Sequence, residues 1–155
     1  MGNTSYSIQK NKPSEVTIRR ATAESDITVS IQGSWNDAKV LPRACKWETG
    51  IAFLNHMVQL VGRRASLNID AQFQCVLKST YAAHVVWEDI GMVMGACVNE
   101  LLSERRADGV EGAGRGSACI DEALSSCYLS FEGRSNCFIT IADSPAARRE
   151  LVEDA

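Results

Sequence analysis

The sequence has 155 residues, of which 45% are hydrophobic and 23% charged, a composition typical of a soluble globular domain and unlike that of a disordered or collagen-like chain. Its formal net charge is -3, from 16 lysines and arginines against 19 aspartates and glutamates. This balance predicts neither nucleic acid nor an anionic membrane as a partner. No run reaches the roughly 18 apolar residues of a membrane helix, and the polar N-terminus lacks a signal-peptide core. We therefore expect a cytoplasmic protein whose six cysteines are free thiols.

The first third of the sequence predicts strands. Residues 1–14 are polar and predict a disordered arm. Residues 15–20 and 27–31 alternate between polar and apolar side chains, which is typical of half-buried strands. The short polar connection between them predicts a hairpin, and a less regular strand is placed near residues 38–41.

The middle of the sequence changes period. Residues 50–64 predict a helix with Thr49 as its N-cap and with apolar residues at helical spacing, namely Ile51, Leu54, Met57, Val58 and Val61. Residues 66–74 alternate again and predict a strand. A longer helix is predicted over residues 83–104, with an apolar stripe made of Val86, Ile90, Val93, Met94, Cys97, Val98 and Leu101.

The last third is poor in helical pattern. Residues 109–117 are rich in glycine, but they lack the spacing of a phosphate-binding loop, so we interpret them as an irregular connection. Two strands follow at residues 123–131 and 136–141, joined by a turn at residues 132–135. A polar tail occupies residues 144–155.

This order of elements predicts an α+β fold, with helices layered on a mixed sheet. Two amphipathic helices can cover one sheet built from the first half of the sequence. The strands after residue 116 have no helices of their own, so an apolar face left bare there would mark an interface.

Only two histidines are present, His56 and His84. Glu88 follows His84 by four residues, which places both side chains on one face of the predicted helix, where they can share a metal ion. A solvated His–Glu pair on a helix surface is the more common arrangement, and a single histidine such as His56 is more often packed than ligating. Both interpretations of these residues stay open from residue types alone.

Five segments resemble the signatures of the imidazoleglycerol-phosphate dehydratase family. Residues 49–57 (TGIAFLNHM) resemble T-G-x-x-F-x-D-H-M, and residues 84–91 (HVVWEDIG) are similar to H-H-x-x-E-D-x-G. Residues 20–27 (RATAESDI) resemble R-x-T-x-E-T-x-I, residues 119–124 (CIDEAL) resemble P-M-D-E-A-L, and residues 132–134 (EGR) resemble S-G-R. The segments occur in the family's order between residues 15 and 141.

The resemblance implies a fold, an activity and an assembly. It implies the first half of the family's two-repeat fold, which is ribosomal protein S5 domain 2-like. The dehydratase-like domain would span residues 15–143, with the first repeat at about 15–106 and the opening strands of the second at about 109–143. It also implies a manganese-dependent hydro-lyase of histidine biosynthesis, acting on a phosphorylated imidazole. A homo-oligomer, or a partner chain that covers the second-half strands, is implied as well.

The resemblance also assigns roles to individual residues. His56, His84 and Glu88 match metal-ligand positions, and one chain would hold one manganese ion (Mn²⁺) or none. Glu24 matches the family's active-site glutamate, and Arg134 matches an arginine that binds the substrate's phosphate. From residue types alone, Glu24 could equally serve a hairpin and Arg134 a turn.

Several positions depart from the family pattern and support a second hypothesis. Val85 replaces a ligating histidine, Arg64 replaces another histidine, Asn55 replaces an aspartate, and Gly112 lies near a position where the family has an arginine. The second metal-binding helix of the family has no counterpart. These departures favour weakened or altered activity, or else a non-catalytic family member that acts as an oligomer subunit or binding module.

Overall fold

A computed structural model gives the architecture of the protein and describes residues 5–12, 14–33, 43–76, 83–106, 109, 111–121, 123–131 and 136–141. The chain divides into two compact units, Met1–Val110 and Glu111–Ala155. The predicted strand near residues 38–41, the turn at residues 132–135 and the tail at residues 144–155 lie outside the described residues.

The described residues of the first unit form a five-stranded mixed sheet and two helices, in agreement with the α+β prediction. In chain order its elements are β1 (Ser5–Lys12), β2 (Glu15–Ala21), β3 (Ser25–Gly33), β4 (Trp47–Glu48), α1 (Ala52–Ala65), β5 (Leu67–Cys75) and α2 (Ala83–Arg105). The strand order is β1-β2-β3-β5-β4. All neighbours pair antiparallel except β4 and β5, which run parallel.

Both helices pack on one face of this sheet. α2 lies across β2 and β3, whereas α1 lies on β5 and β4. Alternation along β3 sends every second residue into the core, because successive strand side chains point to opposite faces. The core is made of aliphatic side chains from the sheet and both helices, among them Val16, Ile27, Val29, Ile31, Leu54, Ile69, Val86, Ile90, Val93 and Leu101.

The opposite face of the sheet is polar. Thr17 Oγ1 donates to Ser30 Oγ at 2.8 Å across β2 and β3. Arg19 forms an ion pair with Asp26, and hydrogen bonding from Arg19 holds the pKa of the Asp26 carboxyl below its usual range. This face therefore needs no second layer of helices to cover it.

The N-terminal segment is a strand, so the prediction of a disordered arm over residues 1–14 is wrong for residues 5–12. β1 pairs antiparallel with β2, and Tyr6 and Ile8 lie on an exposed edge. Its stability comes from backbone pairing with β2, which a polar composition does not reveal.

Helix α1 differs from its prediction in two details. Its N-cap position is occupied by Ile51 without a side-chain hydrogen bond, so Thr49 is not the N-cap. Val61 is exposed, and Gly62 is buried in its place. A Cβ at Gly62 would lie 3.0 Å from the Leu67 carbonyl oxygen, so the helix approaches β5 at a residue that has no side chain.

The second unit contains a hairpin of β6 (Ala113–Ile120) and β7 (Ala123–Ser130). The glycine-rich segment therefore becomes a strand from residue 113, where sequence predicted an irregular loop. The strand predicted at residues 136–141 is absent, since these residues are described and lie in no strand. Every described side chain of β6 and β7 is exposed, as are Phe138 and Ile139. An isolated two-stranded hairpin is marginal in water, and the described apolar side chains of this unit form an exposed surface.

Cys97 is the buried thiol of α2, and its Sγ–H donates to the Val29 carbonyl at 3.5 Å. Burial raises the pKa of this thiol from 9.0 to about 12. Burial of the neutral thiol contributes fully to the free energy of unfolding below about pH 9.0, which is the pKa of this thiol in the unfolded chain. The contribution is lost as the pH rises from there toward 12.

Since the thiolate is the reactive species, we expect Cys97 to resist an aromatic disulfide reagent at about pH 8 in the native protein. The exposed thiols of Cys119, Cys127 and Cys137 should react first. Addition of denaturant should then release the Cys97 signal. Equal reaction rates for all six thiols in the native protein would contradict the buried position of Cys97.

Neither described helix has the length and hydropathy needed to cross a lipid bilayer.

Candidate functional site

His84 and Glu88 lie in the first two turns of α2, and both side chains are exposed. Their separation of four residues places them on one helix face. An imidazole nitrogen and a carboxylate oxygen are donors that fit a divalent transition metal such as manganese. The helix therefore presents to solvent two neighbouring side chains whose chemistry suits a metal ligand.

His56 lies in α1, and its side chain is also exposed. An aromatic contact joins the N-terminal parts of the two helices: the Phe53 and Trp87 rings lie 6.2 Å apart between centroids, tilted by 52°. Across the described parts of the chain, no three His, Cys, Asp or Glu side chains converge on one point. His56, His84 and Glu88 therefore do not form a closed metal site within a single copy.

The loop that begins α1 is held by side-chain hydrogen bonds. Thr49 Oγ1 donates to Asn55 Oδ1 at 2.7 Å, and the Thr49 N–H donates to the same oxygen at 3.2 Å. The Ile51 N–H in turn donates to Thr49 Oγ1 at 3.2 Å. Because the Asn55 side-chain oxygen is the acceptor in both contacts, a carboxylate oxygen at this position could accept the same two hydrogen bonds.

Glu24 lies in the turn between β2 and β3, and its side chain is exposed. Its backbone is fixed on both sides: the Glu24 N–H donates to Thr22 Oγ1 at 3.1 Å, and the Val76 N–H donates to the Glu24 carbonyl at 2.9 Å. The Ser25 N–H also donates to Thr22 Oγ1, at 3.0 Å. The turn thus presents an exposed carboxylate on a backbone that is held by hydrogen bonds.

A buried ionic cluster joins this turn to α2. The Asp89 carboxylate accepts a hydrogen bond from Arg20 through Oδ1 and another from Ser25 through Oδ2. The Arg20 and Asp89 side chains are only 11% and 6% exposed. The cluster therefore connects the segment that contains Glu24 with the residue that follows Glu88.

Sequence analysis assigned no role to Arg20, Ser25 or Asp89, although two signals were present. Arg20 continues the inward alternation of Val16 and Ile18 along β2. Asp89 lies within the apolar stripe of α2, beside Ile90. A charged residue at a position whose spacing predicts burial indicates a buried partner, because an unpaired charge is costly there.

Comparison with known proteins decides the family. The imidazoleglycerol-phosphate dehydratase family model matches residues 49–153. The chain is also 32% identical over 118 residues to the imidazoleglycerol-phosphate dehydratase of Chlorobaculum parvum, an overlap that covers 76% of this chain. The chain belongs to the imidazoleglycerol-phosphate dehydratase family.

Other dehydratases support this assignment. The imidazoleglycerol-phosphate dehydratase of Chlorobium phaeovibrioides is 32% identical over 82% of this chain, and that of Neisseria gonorrhoeae is 31% identical over 77%. The matched regions are 56% of the Chlorobaculum protein, 58% of the Chlorobium protein and 36% of the Neisseria protein. The chain thus spans about half the length of the curated relatives it matches.

The positions that depart from the dehydratase pattern have different surroundings. Val85 is buried, so this position points away from the exposed face that carries His84 and Glu88. Arg64 is exposed near the end of α1. Arg134, the predicted phosphate ligand, lies outside the described residues.

A cavity of about 600 Å³ lies at the C-terminal end of α1, beside β4 and β5. Its lining includes Arg43, Trp47, Arg63 and Asn68, but none of the residues that the dehydratase pattern assigns to the site. This cavity is therefore separate from the residues that carry the predicted chemistry.

Proposed function

We propose that this chain is a subunit of a hydro-lyase that removes water from imidazoleglycerol phosphate, with activity weaker than or altered from that of the family. The observation that carries the proposal is the exposed pair His84 and Glu88 at the start of α2, tied through Asp89 to the turn that contains Glu24. Family membership supplies the class of reaction.

The chain's own residues fit parts of this reaction. Loss of water removes a proton and a hydroxide, and an exposed carboxylate such as Glu24 can accept the proton and deliver it to the leaving hydroxyl. Arg134 can hold the phosphate through charge-assisted hydrogen bonds. His84 and Glu88 would hold manganese, which when bound stabilises negative charge that develops on the imidazole.

The donor types fit manganese, but a single copy supplies an open pair and not a closed set. We therefore propose that the remaining ligands come from another chain, either a second copy or a partner. Exposed aromatic residues beside the metal-binding turns, Phe53 and Trp87, support association there. Buried Val85 cannot ligate, which supports reduced activity.

A second candidate function is a non-catalytic subunit or binding module. The bare hairpin favours this candidate, because Leu124, Tyr128 and Leu129 are all more than half exposed on β7. Apolar strands in such a position are suited to a partner surface. Under this hypothesis the protein associates but binds neither manganese nor substrate through His84 and Glu88.

Manganese binding separates the two candidates. We expect metal-free protein to bind Mn²⁺ in a calorimetric titration, and we expect His84→Ala and Glu88→Ala each to abolish that binding. Glu100→Ala, on the same helix three turns further on, is the matched control and should bind as the wild type does. A dehydration assay with imidazoleglycerol phosphate should then detect slow turnover that both ligand variants lose.

The hydro-lyase proposal fails if millimolar Mn²⁺ gives no binding heat. It also fails if His84→Ala and Glu88→Ala bind as tightly as Glu100→Ala. Either result would leave the subunit role as the supported function.

A further inference from the structure

The Asp89 carboxylate bridges two strands at the point where they enter the turn that contains Glu24. Its two oxygens accept from Arg20 near the end of β2 and from Ser25 at the start of β3. A single buried residue of α2 thereby fixes both ends of that turn. The turn is also held by local hydrogen bonds to Thr22 and by the hydrogen bond from the Val76 N–H to the Glu24 carbonyl.

The cluster contains features that stability alone does not require. A buried ion pair contributes little net stability, because desolvation offsets the attraction, and an apolar replacement is often as stable. The Arg20 Nε–H is buried and has no partner in the part of the chain that the structure describes. A buried donor left without a partner costs free energy. Because this cluster is not the most stable way to fill the space, we infer that it serves to fix the relative positions of the residues it joins.

A tyrosine of β1 lies against the Arg20 end of the cluster. The Arg20 guanidinium carbon lies 5.7 Å from the centroid of the Tyr6 ring, which belongs to β1. A cation over an aromatic face is attracted to it. β1, β2, β3 and α2 therefore all contribute to holding one carboxylate in place.

We propose that Arg20, Ser25 and Asp89 are positioning residues that fix the Glu24 turn relative to the turn of α2 that carries His84 and Glu88. An effect of these residues on catalysis depends on the proposed hydro-lyase function, whereas their effect on the position of the turn does not. Asp89 directly follows Glu88, so the first two turns of α2 bury the bridge on one side and expose His84 and Glu88 on the other. The bridge thus sets the position of a proton-transfer carboxylate against that of the metal ligands.

Amide hydrogen exchange tests the positioning without reference to activity. In Ser25→Ala and Asp89→Asn, we expect the amides of Glu24, Ser25 and Val76 to exchange about tenfold faster than in the wild type, since each variant removes a hydrogen bond from the bridge. Asparagine replaces one of the two carboxylate oxygens with an NH₂ group, which cannot accept, so the contact made through that oxygen, from Arg20 or from Ser25, is lost. The Ala71 amide, which donates to the Lys46 carbonyl at 2.9 Å, should keep its protection.

Ser25→Thr is the matched control, because it keeps the hydroxyl and places the residue of the family pattern at this position. It should restore turn protection and, in the dehydration assay, the turnover number. We expect Ser25→Ala to lower kcat by about tenfold, with Mn²⁺ affinity and KM little changed. Val93→Ala, a core change away from the bridge, should keep kcat below its unfolding temperature.

The outcomes are distinguishable. Wild-type protection of the turn amides in both Ser25→Ala and Asp89→Asn would overturn the positioning role, whatever the activity. Faster exchange of the turn amides with an unchanged kcat would show that the position of the turn does not affect catalysis. A wild-type protein that neither binds Mn²⁺ nor turns over substrate would refute the hydro-lyase function alone, and the exchange result would still decide the positioning.

Discussion

Asp89→Ala is expected to lower the free energy of unfolding by about 3–5 kcal/mol, because it leaves the Arg20 guanidinium buried without a counter-charge. The same change removes the acceptor of the Ser25 hydroxyl. Chemical denaturation followed by circular dichroism measures the loss, with an unchanged slope of free energy against denaturant indicating that the native state stays compact.

The same substitution at Asp26 is the control for that prediction. Asp26 pairs with Arg19 on the polar face of the sheet, where both side chains are partly exposed. Exposed ion pairs contribute little, so Asp26→Ala should destabilise the protein much less than Asp89→Ala. Equal losses for the two variants would show that the Arg20–Asp89 pair is not buried as described.

Ile69→Ala is expected to lower the free energy of unfolding by about 2–5 kcal/mol, because it removes buried methyl groups and leaves a cavity between β5 and the helices. Ile69 is 1% exposed and belongs to the core cluster. The neighbouring Gly62 already brings α1 into close contact with Ile69, so little room remains for the helix to move in and refill the space. Thermal and denaturant unfolding of the variant measure the loss.

Ile139→Ala gives a matched comparison within the same chain, since Ile139 is 79% exposed. Truncation of this side chain to alanine should change the free energy of unfolding by less than about 0.5 kcal/mol. If another chain covers this segment, the variant should instead weaken association, which sedimentation over a range of protein concentrations would detect. A large loss of stability at low concentration would contradict the exposed position of Ile139.

Regular patterns made the central elements predictable from sequence. The alternation in β2, β3 and β5 reflects one buried face, and the helical spacing in α2 reflects one packed stripe. β1 and β6 were missed for a shared reason. An edge strand and a glycine-rich strand are stabilised by backbone pairing with a neighbour, and neither a polar nor a small side chain records that pairing.

The candidate site was predictable only in part. Local motifs identified His84, Glu88 and Glu24, because each belongs to a short segment with a recognisable pattern. The bridge from Asp89 to Arg20 depends on how α2 lies across the sheet, and no local spacing encodes that contact. Arg134 could be assigned a role only by resemblance, since it lies outside the described residues.

The Arg20–Asp89 pair joins residues 69 positions apart in the chain. Contacts of such separation form late in folding, because the loop between them must close first. The hairpin of β2 and β3, with its Thr22 hydrogen bonds, can form early from neighbouring residues. The Glu24 carboxylate in this hairpin gains its final place only when α2 docks and Asp89 reaches Arg20 and Ser25. Ordering of the candidate site thus reports the docking of α2, and a spectroscopic probe at Glu24 should respond to loss of that docking before a probe within the β2–β3 hairpin does.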